Sequence, residues 1–263
     1  MTRRRLDAEL VRRGVYTTRA DAREAVATGE VEVAGTVVTN AASMVADDAP
    51  ITRRVPTRPY VSRAGGKLAA ALERFNVDPT GLRCLDAGAS TGGFTDALLR
   101  AGAAGVVAVD VGYGQLAWEL RSDPRVDVHE RTNVRTLEPN AIGGNVDLVV
   151  ADLSFISLRT VLPALCSVAT RDATFVLLVK PQFEVGKGAV EKGGVVRDPA
   201  AWREVLGQIL EAAAAADLGA IGAMASPVPG PSGNVEFLLV LRRGAEGSVD
   251  LDAAVAEGVA IQP

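Results

Sequence analysis

The fold is decided by the stretch Leu85-Asp86-Ala87-Gly88-Ala89-Ser90-Thr91-Gly92-Gly93-Phe94-Thr95, which predicts a strand that passes through a glycine-rich turn into a helix. A second apolar segment at 106–110, Val-Val-Ala-Val-Asp, follows it and ends on an acid. Strand, glycine turn, helix, strand and acid in this order are how an open α/β sheet holds a nucleoside. The glycines let the backbone approach a ligand closely, and the acid accepts hydrogen bonds from ribose hydroxyls.

This glycine turn predicts a binding site for S-adenosylmethionine. It lacks the Gly-x-Gly-x-x-Gly spacing of dinucleotide sites. Its Asp-x-Gly-x-x-x-Gly-Gly-Phe form suits S-adenosylmethionine better, because that cofactor has no pyrophosphate to place at the helix N-terminus. We expect Asp86 to bind the amino group of the cofactor, Asp110 its ribose hydroxyls and Asn133 its adenine, with Asp152 close to the methyl group. The alternative is a tight helix entry that binds nothing. The predicted cofactor-binding residues are Asp86, Gly88, Ser90, Gly92, Gly93, Phe94, Asp110, Asn133 and Asp152.

The rest of the chain from about Tyr60 onward continues an α/β pattern. Strands that alternate with helices imply a largely parallel sheet covered on both faces. The turn-rich stretch 227–233 precedes the last strand and suits an antiparallel final strand. Strands are predicted at 83–87, 106–110, 126–129, 146–151, 174–180 and 235–242, and helices at 66–75, 92–101, 114–121, 157–169 and 199–216.

Composition excludes several classes of protein. Hydrophobic residues make up 48% of the 263 residues, but the longest apolar runs, such as Phe175–Val179, fall far short of the roughly 20 residues that a membrane helix needs. The charged sequence after Arg3–Arg5 does not resemble a signal peptide. Cys84 and Cys166 are isolated and lack metal-ligand spacing. We therefore expect a cytoplasmic, monomeric protein with reduced thiols, no metal site and no contact with membranes.

The first 64 residues carry an excess of positive charge. Eleven arginines face eight acids there, a net charge of +3, whereas the remainder of the chain carries −7. A small basic module on an acidic body indicates contact with a polyanion. Within this module we expect two short helices, the first ended by Gly14 and the second begun at Thr18, and then a hairpin that turns at Ala34-Gly35. The predicted boundaries are a module at 1–52, a linker rich in proline and arginine at 53–62, and an α/β domain at 63–263.

The module resembles the S4 RNA-binding domain. The resemblance rests on Arg5-Leu6-Asp7-x-x-Leu-Val-x-Arg-Gly, Thr18-Arg19-x-x-Ala-x-x-x-Val and Gly29-x-Val-x-Val-x-Gly. In that family a positive helical face lies against structured RNA, so the resemblance implies contacts with phosphates, which supply affinity and register. The alternative is a solvated arginine-rich surface on a protein-interaction domain. The predicted RNA-binding residues are Arg4, Arg5, Arg12, Arg19 and Arg23, together with Arg63 after the linker and Lys187 in a glycine-rich stretch.

Four polar residues in the α/β part form a candidate catalytic set. Asp152 and Lys180 directly follow apolar strands, at the carboxyl ends where ligands gather in parallel sheets. Glu236 opens the last strand, and an antiparallel direction would bring it to the same edge. Lys67 follows the linker in Ser62-Arg63-Ala64-Gly65-Gly66-Lys67-Leu68. We therefore expect Lys67, Asp152, Lys180 and Glu236 to meet at one edge of the sheet.

This Lys-Asp-Lys-Glu set resembles that of the FtsJ-like ribose 2′-O-methyltransferases. Together with the S4-like module, the chain is similar nearly end to end to the TlyA family of rRNA cytidine 2′-O-methyltransferases, which is also catalogued as hemolysin A. The most specific segments begin at Asp86, Asp110 (Asp-Val-Gly-Tyr-Gly-Gln-Leu-Ala-Trp), Asp152 (Asp-Leu-Ser-Phe-Ile-Ser) and Lys180 (Lys-Pro-Gln-Phe-Glu-Val-Gly-Lys). The resemblance implies a Rossmann-like class I methyltransferase fold with a small N-terminal α/β S4 domain, S-adenosylmethionine as cofactor, and 16S or 23S rRNA within ribosomal subunits as substrate.

The chemistry of methyl transfer fits these residue types. A ribose 2′-hydroxyl is a poor nucleophile and must lose its proton as it attacks the methyl carbon. A lysine accepts that proton only when desolvation or a neighbouring cation favours its neutral form, so we expect Lys180 to be the general base and Lys67 the neighbouring cation. Asp152 and Glu236 would orient the two lysines. The alternatives are an inactive fold that only binds rRNA or the ribosome, and a membrane-active hemolysin.

Overall fold

The computed structural model describes residues 3–27, 29–53, 60–185 and 194–262. The chain separates into two compact units, Met1–Arg58 and Pro59–Pro263. Most of the predicted linker, residues 54–59, lies outside the described residues. Of its described residues, Arg53 ends a strand of the first unit, whereas 60–62 belong to the second unit, where the Val61 backbone N–H donates a 2.8 Å hydrogen bond to Asp96 Oδ2.

The first unit packs two helices against short strands. Its core is apolar and includes Leu6, Leu10, Val26 and Val31. Thr18 begins the second helix as predicted, since its Oγ1 accepts the Asp21 N–H while Asp21 Oδ2 accepts the Thr18 N–H. The elements are β1 (Arg3–Arg5), α1 (Leu6–Arg12), α2 (Arg19–Ala27), β2 (Val31–Val33), β3 (Thr36–Val37), β4 (Met44–Ala46) and β5 (Ile51–Arg53).

The strands of this unit form two antiparallel sheets. In the described residues, β2 lies between β3 and β5, and the β2–β3 turn at Ala34-Gly35 has positive φ at both positions, as the predicted hairpin requires. The second sheet pairs β1 with β4 and places Arg4 opposite Val45. This pairing was not predicted, because three consecutive arginines carry no apolar alternation.

The second unit has the predicted α/β fold. Its described residues form seven strands in the order β11-β12-β10-β9-β6-β7-β8, and β12 runs antiparallel to both of its neighbours. The elements are α3 (Arg63–Arg74), β6 (Arg83–Ala87), α4 (Gly93–Arg100), β7 (Gly105–Val109), α5 (Trp118–Arg121), β8 (Val126–His129), β9 (Val146–Ala151), α6 (Leu158–Ser167), β10 (Ala169–Val179), α7 (Pro181–Glu184), α8 (Pro199–Ala215), β11 (Leu218–Ala225), β12 (Phe237–Arg243) and α9 (Leu251–Ile261), with 3-10 turns at Val134–Thr136 and Pro139–Ile142.

The sheet is covered on both faces. Leu85, Val149 and Leu177 point to the side of α6, α8 and α9. Their neighbours along the strands, including Cys84 and Leu148, point to the side of α3 and α4. The central strands therefore have no solvent face, which is why they read as continuous apolar runs in the sequence.

The elements of this unit differ from the predicted ones in two respects. Strand β11 and helix α9 were not predicted. The helix predicted at 114–121 is limited to Trp118–Arg121, because 111–117 form the loop that follows β7. Trp118 at the start of this short helix is 77% exposed, whereas Trp202 in α8 is buried and donates its indole N–H to the Val196 carbonyl at 2.9 Å.

Candidate active site

The glycine turn after β6 is held against β9. Gly88 has φ +89°, and a Cβ there would lie 2.6 Å from the Asp152 carbonyl oxygen, so no larger residue fits. Gly92, at φ +97°, faces Leu120 in the same way. Gly93 begins α4, and a Cβ on it would collide with Ser62 Oγ at the start of α3. The glycines thus bring β9, α3 and α5 close around the turn.

A cavity of about 400 Å³ opens beside this turn. Its volume is in the range of sites for small ligands and cofactors. Its wall combines apolar side chains, such as Val134 and Ile156, with polar and charged ones. Five of the predicted cofactor residues lie on its wall: Gly88, Ser90, Asp110, Asn133 and Asp152.

A second cavity of about 150 Å³ adjoins the first. Gly88, Ser90, Asp152 and Ser154 line both cavities. The second one also includes Gly93 and Phe94 of the predicted cofactor set, and Lys180. The proposed base therefore lies on the wall of a cavity that is continuous with the glycine turn.

Asp86 lies beneath the turn as a buried carboxyl group. Its Oδ2 accepts a 2.6 Å hydrogen bond from Thr95 Oγ1, but its Oδ1 has no hydrogen-bond partner among the described residues. The pKa of Asp86 is raised to about 7, chiefly by burial, with smaller contributions from the charges of Asp152 and Asp110, while the hydrogen bond from Thr95 acts to lower it. An unpaired buried carboxylate oxygen at this position suits a cationic amino group, so this part of the site fits S-adenosylmethionine.

Asp110 holds the turn and the loop after β7 together. Its Oδ2 accepts the Ser90 N–H at 2.8 Å, and its Oδ1 accepts the Gly112 N–H at 2.6 Å. Each carboxylate oxygen keeps a further lone pair for a ribose hydroxyl. Asn133 caps a 3-10 turn, where its Oδ1 accepts the Arg135 N–H at 3.0 Å. Both side chains thus have a structural partner as well as a place on the cavity wall.

The four candidate catalytic residues form two ion pairs. Lys180 Nζ lies 2.6 Å from Asp152 Oδ1, and both side chains are partly exposed. Lys67 Nζ forms a direct ion pair with Glu236 Oε2, and both side chains are buried. The register of β10 and β12 pairs Val179 with Phe237, so Lys180 and Glu236 lie next to each other just beyond the ladder. The four residues therefore meet at one edge of the sheet, each lysine with a carboxylate.

Two polar residues that were not singled out in the sequence lie near this arrangement. Ser154 Oγ lies 3.0 Å from Lys180 Nζ and accepts a hydrogen bond from it. Glu184 is buried, and its carboxylate accepts hydrogen bonds from Ser157 Oγ at 2.6 Å and from the Leu158 N–H at 2.7 Å, at the start of α6. Both residues belong to the family-specific segments that begin at Asp152 and Lys180. The sequence therefore contained a motif around each of them but did not show which residue each one contacts.

The predicted RNA-binding arginines of the first unit gather on two buried acids. Arg5, Arg19 and Arg23 surround Asp7, and their hydrogen bonds, led by that of Arg5, hold its pKa well below the usual range. Glu9 is bound by Arg12 and Arg13, which lower its pKa to about 2, and Arg4 lies 3.9 Å away. Neither acid was expected to have a role.

The two remaining candidates lie elsewhere. Arg63 is the first residue of α3 in the second unit and is exposed. Lys187 lies outside the described residues. Nowhere in the described ranges do three or more His, Cys, Asp or Glu side chains converge as metal ligands would. Among the same residues, no helix is both long and apolar enough to cross a membrane.

Known families match both units. A model of the FtsJ-like methyltransferases matches residues 60–243, and a model of the S4 domain matches residues 4–50. A Mycobacterium tuberculosis protein named 16S/23S rRNA (cytidine-2′-O)-methyltransferase TlyA is 57% identical over 241 residues, which cover 91% of this chain and 90% of that protein. A Brachyspira hyodysenteriae protein named Hemolysin A is 36% identical over 235 residues, covering 89% and 98%.

A solved structure also matches along the whole chain. It is that of a Streptococcus thermophilus protein provisionally named a hemolysin, with a TM-score of 0.77 and 35% identity, and the match covers 98% of this chain and 96% of that one. The fold, the glycine turn and these relatives lead to one assignment. The chain belongs to the TlyA family of S-adenosylmethionine-dependent methyltransferases, in which an S4 domain precedes an FtsJ-like methyltransferase domain.

Proposed function

We propose that this enzyme methylates the 2′-hydroxyl of cytidine in 16S or 23S rRNA, the reaction named for its Mycobacterium tuberculosis relative. The observation that carries the proposal is the placement of Lys180, paired with Asp152 on the wall of a cavity next to the glycine turn. In this proposal residues 1–52 bind the RNA, residues 63–263 catalyse the reaction, and residues 53–62 connect them. A ribosomal substrate further implies a cytoplasmic enzyme, and we propose that it acts as a monomer.

Lys180 serves as the general base in this proposal. S-adenosylmethionine supplies a methyl group on a positively charged sulfur. Lys180 Nζ accepts the proton of the 2′-hydroxyl, while Asp152 and Ser154 fix the direction of the amine. The buried Lys67–Glu236 pair borders the same edge and fixes its geometry. General-base catalysis contributes roughly 10²–10⁴-fold to a rate, and positioning of the two reactants contributes more.

Most of the proposed cofactor contacts follow from the walls of the two cavities, although Asp86 and Gly92 line neither of them. Gly88, Ser90 and Gly93 give the backbone access to the ligand, and Phe94 covers the second cavity. Asp86 binds the amino group through Oδ1, Asp110 binds the ribose, and Asn133 lies where the adenine would be. Gly92 acts indirectly, through its contact with Leu120.

The test is methyl transfer to purified ribosomal subunits. Labelled S-adenosylmethionine is incubated with unmodified small or large subunits, and 2′-O-methylation is mapped by primer extension at low dNTP. We expect a discrete stop at a cytidine in at least one subunit. If the enzyme binds both cofactor and RNA but transfers no methyl group to either subunit, the assignment to rRNA is wrong.

Two variants of Lys180 separate its roles. Lys180→Ala removes both the charge and the base, whereas Lys180→Arg keeps a cation next to Asp152 that does not deprotonate in proteins. We expect both variants to lose roughly 10²–10⁴-fold in kcat while they still bind S-adenosylmethionine. Near wild-type turnover in Lys180→Arg would show that Lys180 supplies charge rather than a base.

A further inference from the structure

The arginine face of the first unit is organised by acids. Asp7 and Glu9 lie in the first turn of α1, and both side chains are fully buried. Buried carboxylates are costly unless they are paired and hydrogen-bonded. Here the partners are the arginines that we assign to RNA binding, so the two acids and the RNA-binding face are a single arrangement.

Asp7 forms ion pairs with arginines from separate elements. Arg5 on β1 donates to both of its carboxylate oxygens at 3.2 Å. Arg19 and Arg23 on α2 each donate to Oδ2 at 2.9 Å. One carboxylate thereby sets the spacing between guanidinium groups that lie far apart in the sequence.

Glu9 acts in the same way on a second group. Arg12 and Arg13 donate to it, and Arg4 lies 3.9 Å from its Oε2. Arg13 also donates to the carbonyls of Ala46, Asp47 and Ala49 and is the least exposed of these arginines. Arg13 is therefore part of the scaffold, whereas Arg4 and Arg12 remain about half exposed.

Fixing these side chains before RNA arrives favours binding. A free arginine loses rotamer freedom when it is immobilised, and that loss opposes binding. A guanidinium has five N–H donors, and bonds to one carboxylate leave the others directed outward for phosphate. The six guanidinium groups and two carboxylates retain an excess of four positive charges.

We propose that Asp7 and Glu9 are positioning residues for RNA docking, which hold the exposed arginines at the spacing of phosphates in structured RNA. The proposal rests on the proposed function, because it takes rRNA as the ligand of this face. It assigns to two negative charges a favourable part in binding a polyanion, which simple electrostatics does not predict.

The Asp7→Asn and Glu9→Gln variants decide between the two views. If charge alone governs binding, the loss of an acid adds a positive charge, tightens RNA binding and steepens its dependence on salt. If positioning governs, the freed arginines contact fewer phosphates. We expect about ten-fold weaker binding to the ribosomal subunit that is methylated, with a salt slope lower in magnitude by about one per lost phosphate contact.

Glu32→Gln is the matched control. Glu32 on β2 makes no ion pair with any described residue, so this variant changes the charge of the same unit without releasing an arginine. We expect it to bind as well as the wild type or more tightly. Binding of Asp7→Asn and Glu9→Gln that matches Glu32→Gln would overturn the proposal.

Kinetics and hydrogen exchange separate positioning from unfolding. We expect a raised KM for ribosomal subunits with unchanged kcat at saturation, because the catalytic unit is untouched, and we expect Asp7→Glu to restore part of the binding. Some loss of protection at the α1 and α2 amides is expected, because the ionised acids stabilise the first unit. If Asp7→Glu restores that protection without restoring any binding, the acids are only structural and the proposal is wrong. Wild-type enzyme that methylates no subunit would instead refute the proposed function.

Discussion

At the scale of single residues, Asp86 makes cofactor binding sensitive to pH. Its pKa is raised to about 7 by burial, so a large part of the free enzyme carries a protonated Asp86 near neutrality. A cationic amino group at Oδ1 favours the ionised form and lowers that pKa. Binding of S-adenosylmethionine should therefore release a proton, and its affinity should increase as the pH rises from about 5.5 to 7.5.

Calorimetry in two buffers with different ionisation enthalpies counts the released protons. We expect close to one proton near pH 6 in the wild type and none in Asp86→Asn, which also binds more weakly because it has lost the charge. Thr95→Val is the control for the local hydrogen bond, since it keeps the carboxyl group and removes the Thr95 Oγ1 donor. An affinity that is independent of pH in the wild type would contradict this role for Asp86.

The sequence predicted residues such as Gly88 and Asp110, whose position in a turn or at a strand end can be recognised from the residues next to them in the chain. Both line the cavity. Ser154 and Glu184 were missed because each is defined by a partner more than twenty residues away. The two acids of α1 were missed for the same reason, since Asp7 meets Arg19 and Arg23 only after the helices pack.

At the scale of elements, the contact between α3 and α4 places Lys67. A Cβ on Gly93 would lie 2.9 Å from the Gly65 backbone nitrogen and would also collide with Ser62 Oγ. Gly93→Ala must therefore separate the two helices, and we expect it to lose roughly 1–3 kcal/mol of stability, as overpacked cores do. Because α3 carries Lys67, methyl transfer should fall as well.

Gly66→Ala is the matched control for this prediction. Gly66 is in α3, next to Lys67, and a Cβ there would meet no atom within 4 Å. Alanine in a helix interior is favoured over glycine by about 0.5–1 kcal/mol, so this variant should be more stable than the wild type. Urea unfolding of both variants, followed by circular dichroism, measures the difference. Equal stability of the two variants would show that α3 and α4 are free to separate.

In the second unit, the unpredicted strand β11 and helix α9 lie at one edge of the sheet. Strand β11 reads Leu-Gly-Ala-Ile-Gly-Ala-Met-Ala, in which small residues give little strand signal. Its glycines are required by packing, since a Cβ on Gly222 would lie 2.5 Å from Phe75 Cδ1. Strands β6 and β9 were predicted to the residue because burial on both faces gives them a largely apolar signal. The edge strand β8 was also predicted to the residue, although its side chains are only partly buried.

At the scale of the whole molecule, the two units should respond to acid in opposite ways. In the first unit the pKa of Glu9 is lowered to about 2 and that of Asp7 is lowered further, so ionisation of both acids stabilises the fold. That contribution is complete above about pH 4.5 and is lost as the pH falls towards 2. In the second unit the raised pKa of Asp86 means that its ionisation destabilises the fold. The free energy of unfolding of this unit should therefore increase as Asp86 takes up a proton between about pH 7 and pH 4.

Hydrogen exchange on the full-length protein follows both units at once, after correction for the intrinsic effect of pH. Between pH 6 and pH 3 we expect protection of the α1 and α2 amides to fall, and Glu9→Gln to remove part of that fall because glutamine does not titrate. As the pH falls from 7 to 5, the wild type should gain stability relative to Asp86→Asn. Exchange of the β6 and β9 amides measures this difference. A constant difference between wild type and Glu9→Gln from pH 6 to 3 would mean that the ion pairs of Glu9 do not stabilise the first unit.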